Sequence, residues 1–166
     1  MNKDELCFLL ERIHALTFVN PFARERDEIE GKIIKSRIDF DSYKEMHDLI
    51  DEFAPDVISV SAMTFHKDFF HSTIKNIRSH GFSKMIITGG PHPTTSYKEV
   101  LKDKNVDLCV LGEGEATLAD IVKRLMIKKD NDQKKLDYED LINIDGIAFS
   151  RTKFISKENT LKAANS

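Results

Sequence analysis

The chain has 166 residues, of which 40% are hydrophobic and 32% charged, with a formal net charge of −3. That length suits one domain with its own core, the composition excludes disordered and fibrous classes, and the charge gives no electrostatic reason to expect a nucleic acid partner. Apolar runs such as DLCVLG fall far short of the roughly 20 residues that span a bilayer, and no basic segment leads into an apolar one at the N-terminus, so no membrane partner and a cytoplasmic location are expected.

In chain order, residues 1–40 hold a helical pattern around Leu6, Leu9, Leu10 and Ile13, then LTFVNPF, then the charged segment RERDEIEGK. The short stretch between VNP and PDV makes the first β/α unit look compressed, which sets 1–40 apart from a main domain at 41–150. Tyr43, Met46, Leu49, Ile50 and Phe53 form a helical face that ends before Pro55. PDVISVS (55–61), KMIITGG (84–90) and VDLCVLG (106–112) are short, nearly continuous apolar runs, the pattern of strands buried on both faces.

Between them, the stretch 66–80 carries Phe70, Ile74 and Ile77 on one face and stops at Gly81, with Phe69 and Phe70 both expected in the core. Ser96 and Glu99 have the spacing of a capping box and open a helix over 96–102, where Thr94 and Thr95 read as further caps. Leu118, Ile121, Val122, Leu125 and Met126 repeat at helical spacing, with acids at the start and Lys123, Arg124, Lys128 and Lys129 near the end. A polar linker over 128–140 precedes a last strand, DGIAFS (145–150), and the tail 151–166 is polar and expected to fray. Strand and helix alternate, which predicts a doubly wound α/β fold of flavodoxin-like or Rossmann-like type, with a parallel sheet covered on both faces.

In such sheets ligands lie beyond the carboxyl ends of the strands, and here three consecutive strands each end in an unusual loop. The first, Ser61 to Thr64 with Met63 between, offers hydroxyls. The second, within TGGPHPTTS (88–96), bares the backbone at Gly89 and Gly90 and then holds His92 between two prolines. The third is GEGE: Gly112, Glu113, Gly114 and Glu115. It lacks the last glycine of a dinucleotide fingerprint, and two carboxylates would repel a pyrophosphate, whereas carboxylates and carbonyls suit a ligand edged with amides. Cys7 and Cys109 make no CxxC pair and read as small buried hydrophobes. His66 and His71, five apart, do not share a helical face and make no metal pair.

The run from Pro55 to Leu125, with PDVISVSAMT, IITGGPHPT and VDLCVLGEGEATL in order, resembles the cobalamin (vitamin B12)-binding domain found N-terminal in cobalamin-dependent radical S-adenosylmethionine (radical SAM) enzymes. DGIAFS is similar to the strand that closes that domain. The resemblance implies a pocket for the nucleotide tail at Ser61-Ala-Met63 and Gly89-Gly90. It also implies a corrin whose amides meet the loops at Thr64, His92, Gly112, Glu113, Gly114 and Glu115. The Asp-x-His-x-x-Gly motif that supplies a cobalt ligand in other corrinoid domains contains none of His14, His47, His66, His71, His80 or His92, so cobalamin without a protein imidazole is implied. With two cysteines the chain holds no C-x-x-x-C-x-x-C, hence no iron–sulfur cluster, and is not expected to be catalytic alone. The implied role is accessory to a radical SAM core, methyltransferase-like, missing from this chain. Alternatives are a stand-alone corrinoid carrier or sensor, or a receiver-like signalling module, although a receiver needs an aspartate where this strand ends in Ser59, Val60 and Ser61.

Overall fold

The computed structural model describes residues 15–20, 30–130 and 136–154, with side chains from residue 31 onward apart from a few positions. Among the described residues six strands form one sheet: β1 Ala15–Asn20, β2 Glu30–Lys35, β3 Val57–Ser61, β4 Met85–Gly89, β5 Leu108–Val110 and β6 Ile147–Phe149, in the order β2-β1-β3-β4-β5-β6. Helices are α1 Tyr43–Phe53, α2 Lys67–Ser79, α3 Pro91–Val100, α4 Glu115–Asp130, α5 Tyr138–Leu141 and α6 Arg151–Phe154, with a 3-10 turn at Thr64–His66.

The α/β architecture follows the alternation in the sequence, and β3, β4 and β5 are parallel neighbours joined through α2 and α3. The flanks differ from an all-parallel expectation. β1 runs antiparallel to both β2 and β3, and β6 runs antiparallel to β5. Only residues 21–29 link β1 to β2, shorter than the crossover of about a dozen residues that a parallel pair requires, so the compressed first unit is an antiparallel pair rather than β-α-β. Through β1 and β2 the sheet continues across the division expected at residue 40.

Successive strand residues face opposite sides, and two cores result. On one face Ile58, Val60, Ile86 and Cys109 pack against Met46 and Ile50 of α1, Phe70, Ile74 and Ile77 of α2, and Val100 of α3. On the other, Val57, Ile87, Leu108 and Val110 pack against Ile121, Val122 and Leu125 of α4 and Leu141 of α5. Phe70 is fully buried, but Phe69 is 39% exposed and stacks on Tyr43, because neighbouring residues of a helix point about 100° apart. Cys109 is buried beside the Thr88 hydroxyl, 3.2 Å from its sulfur.

An additional helical segment precedes the one expected near Ser96: α3 begins at Pro91, directly after Gly90, and kinks at Ser96. Pro91 and Pro93 fall in the first turn, where the backbone N–H groups have no partner within the helix, so both prolines are tolerated. Ser96 is the kink between two helical segments of α3 (φ −130°), so a helical segment does follow from the residue where one was expected, and Glu99 pairs with Lys102 at 2.7 Å rather than closing a capping box. At both ends of the expected linker the described residues are helical: α4 extends to Asp130, and Asp137 and Asp140 form a reciprocal capping box on α5, with residues 131–135 outside the described residues. Before the amino ends of β4 and β5 Arg78 spans four groups, donating to the carbonyls of Phe82, Lys84 and Asn105 and pairing with Asp107 at 2.6 Å. Cys7, the 1–14 helical pattern and the tail beyond 154 lie outside the described residues. Among the described residues no helix is long and apolar enough to cross a membrane.

Candidate cofactor cleft

A cleft of about 540 Å³ opens at the carboxyl ends of β3, β4 and β5, on the sheet face that carries α4. Strand alternation puts Ser59 and Ser61 on its floor, on the same face as Val57. Val57 is 1% exposed, whereas the two serines are only partly buried. Val110 and Leu118 supply apolar walls, and Gly112 to Gly114 with Thr94 and Thr95 supply the rim.

The two central glycines do different work. A Cβ at Gly89 would meet nothing nearer than the Val110 carbonyl oxygen at 3.9 Å, so the missing side chain leaves open space in the cleft. Gly90 has φ 88°, and a Cβ there would stand 2.6 Å from the Ser61 hydroxyl oxygen and 3.3 Å from the Ala62 carbonyl. Only glycine fits this position, for both steric and conformational reasons.

The loops are tied together at the same place. Ala62 N–H donates to the Gly89 carbonyl (3.3 Å), and His92 N–H donates to the Ala62 carbonyl (3.0 Å). Gly112 N–H donates to Thr94 Oγ1 (3.0 Å), joining the second loop to the third. Thr94 is thus a bridge between loops and not a helix cap, while the Thr95 hydroxyl donates back to the Pro91 carbonyl at 2.9 Å within α3.

Of the residues expected at the site, the structure brings Ser61, Gly89, Gly90, Gly112, Glu113 and Gly114 into the cleft lining. Glu115 is the first residue of α4, at the end of the third loop. Met63 is 43% exposed and Thr64 is exposed as well, and neither lines the cleft. His92 does not line it either. The His92 ring is 3% exposed and packs edge-on against Phe70, with centroids 5.5 Å apart, on the opposite side of the sheet from the cleft. Burial first, then the nearby His71 and Lys67, push its imidazole pKa below the ordinary value. Ser59, Val110 and Leu118 were not anticipated; the signal for Ser59 was its i, i+2 spacing from Ser61, which puts two hydroxyls on one face of a strand.

The family model for the B12 binding domain matches residues 21–122. The chain belongs to the B12 binding domain family. Among curated proteins this B12 binding domain is similar to an uncharacterized methyltransferase of Pyrococcus horikoshii, 26% identical over 101 residues, covering 60% of this chain and 22% of that protein. It is also similar to the anaerobic magnesium-protoporphyrin IX monomethyl ester cyclase of a Synechocystis species, 36% identical over 72 residues, covering 43% of this chain and 12% of that protein. The chain therefore spans less than a quarter of the length of either relative.

The cleft suits part of a large cofactor with both apolar and amide edges: hydroxyls on the floor, aliphatic walls, and a position at Gly89 that a Cβ would fill. No histidine lines the cleft among the described residues.

Proposed function

We propose that this B12 binding domain holds cobalamin with its nucleotide end in the Ser59–Ser61–Gly89 cleft, and serves a radical SAM catalytic core carried outside this chain. The observation that supports it most is the open space at Gly89, an approach to bare backbone in a cleft of the B12-binding fold. When bound, cobalamin supplies a cobalt that accepts and gives up an alkyl group such as methyl. The chain's own residues bind and orient. Ser59 and Ser61 hydroxyls hydrogen-bond polar atoms of the nucleotide base, while Val110 and Leu118 exclude water around its apolar faces. Glu113 and Glu115, with Met63 and Thr64 on the first loop, meet the amide edge of the corrin. In this reading cobalt takes no imidazole from the described residues; the packing of His92 against Phe70, away from the cleft, supports it.

The accessory role rests on the resemblance of the three loops and on relatives named as a methyltransferase and a cyclase, each several times longer than the matched segment. A neighbouring reading frame encoding the three-cysteine cluster motif would support it; its absence would favour a stand-alone corrinoid carrier.

Equilibrium dialysis against hydroxocobalamin tests binding directly. The protein is expected to retain the coloured cofactor at one equivalent, and retention no greater than that of an unrelated α/β domain overturns the assignment. Paramagnetic resonance of the cobalt(II) form then tests ligation: nitrogen splitting that disappears in His92→Ala would make His92 a cobalt ligand.

A further inference from the structure

His92 is 3% exposed and does not line the cleft, and neither of its ring nitrogens has a hydrogen-bond partner among the described residues. Its ring stands edge-on to Phe70 (5.5 Å) and His71 (6.2 Å) on α2. A phenylalanine would fill the same space without leaving two polar atoms unpaired. What an imidazole adds is a charge that can be switched near neutral pH.

The groups facing the ring are weighted toward positive charge. His71 and Lys67 approach it from α2. Asp103, in the turn after α3, is committed to His71 at 2.7 Å, and Glu99 on α3 is paired with Lys102. The carboxylates nearby are thus engaged elsewhere, and a proton on His92 would have to be buried without a counter-ion.

The backbone of the same residue sits where the cleft loops meet. Its N–H holds the Ala62 carbonyl of the first loop, and two residues later Thr94 holds Gly112 of the third. Pro91 and Pro93 stiffen the segment on either side, so a displaced ring moves its backbone with it.

Building on the cobalamin reading, we propose that His92 is a positioning residue: its neutral ring, seated against Phe70, keeps the three loops in register for the cofactor, and its protonation releases them. The ring then seeks water, breaking the tie to Ala62 and, through the first turn of α3, the Thr94–Gly112 bridge.

The test compares wild type with His92→Phe, which keeps the packing and removes the titration. Dialysis with hydroxocobalamin between pH 7.5 and 5 is expected to show the wild-type dissociation constant rising, toward the limit of about tenfold per pH unit for one excluded proton, while that of His92→Phe stays flat. Any titration of the cofactor itself is common to both proteins. An equal pH dependence in the two overturns the proposal. A measurement on unliganded wild type needs neither the variant nor the cofactor: the Gly112 amide resonance is expected to shift with the same midpoint as the His92 ring protons. A Gly112 resonance indifferent to that midpoint overturns the proposal, whereas failure to bind cobalamin at pH 7.5 overturns the functional reading and leaves the His92–Gly112 coupling to be judged on its own.

Discussion

A side chain on Gly90 would collide with the hydroxyl of Ser61, 2.6 Å from the added carbon, so the turn after β4 is closed against the end of β3. Its neighbour Gly89 has no such constraint. Gly90→Ala is therefore expected to lower stability by about 1–3 kcal/mol, the cost of a forced left-handed residue with a steric contact, visible as a lower melting temperature. Gly89→Ala is expected to leave the melt within a few degrees and to weaken cobalamin retention. If Gly89→Ala retains the cofactor like wild type, close approach to that backbone is not part of binding.

Thr94→Val removes the acceptor for the Gly112 N–H while preserving shape. The expected loss is about 1 kcal/mol, with faster hydrogen exchange at Gly112 and weaker cofactor retention. Thr94→Ser restores both, since the hydroxyl alone makes the bond. A Val variant with unchanged Gly112 exchange would show that the bridge does not hold the loop.

Ser59→Leu places an aliphatic side chain on the cleft floor, two residues from buried Val57 on the same strand face. Additional apolar contact is expected to keep or slightly raise the melting temperature while cobalamin retention is lost, the usual trade between a filled site and a working one. Loss of folding in this variant would contradict the partly exposed setting of Ser59.

His47 on α1 stacks on His80 after α2, rings 4.1 Å apart and nearly parallel. Burial first, then the neighbouring His80, push the His47 imidazole pKa below 6.5. A depressed histidine contributes stability that is fully present above about pH 6.5 and is lost as pH falls through the folded-state pKa. His47→Phe is expected to flatten the decline of melting temperature between pH 7 and 5. A decline as steep as in wild type would place the acid sensitivity at other groups.

The alternation of apolar strands with amphipathic helices was legible because Ile58, Ile86, Phe70 and Ile121 each report their own burial through local spacing. Strand direction was legible for the central β3, β4 and β5, joined by helical crossovers, but not for the flanking strands. Nothing in LTFVNPF or EGKIIK distinguishes an antiparallel neighbour from a parallel one; only the short link between them carries that information. At the site, glycines and Ser61 were readable from the loops they occupy. The burial of His92 and the bridging by Thr94 depend on the helical segment that opens at Pro91, whereas the capping-box spacing of Ser96 and Glu99 pointed only to the second segment, which follows the kink at Ser96.

The ties among Ala62, Gly89, His92, Thr94 and Gly112 also bear on how such a cleft changes over time. Each bond joins one loop to a different one, and Gly90 is matched to the hydroxyl of a residue on another strand. A loop exchanged singly with that of another α/β protein would arrive without its counterparts. The three strand ends therefore form one heritable module, transplantable together and ill suited to piecemeal recombination.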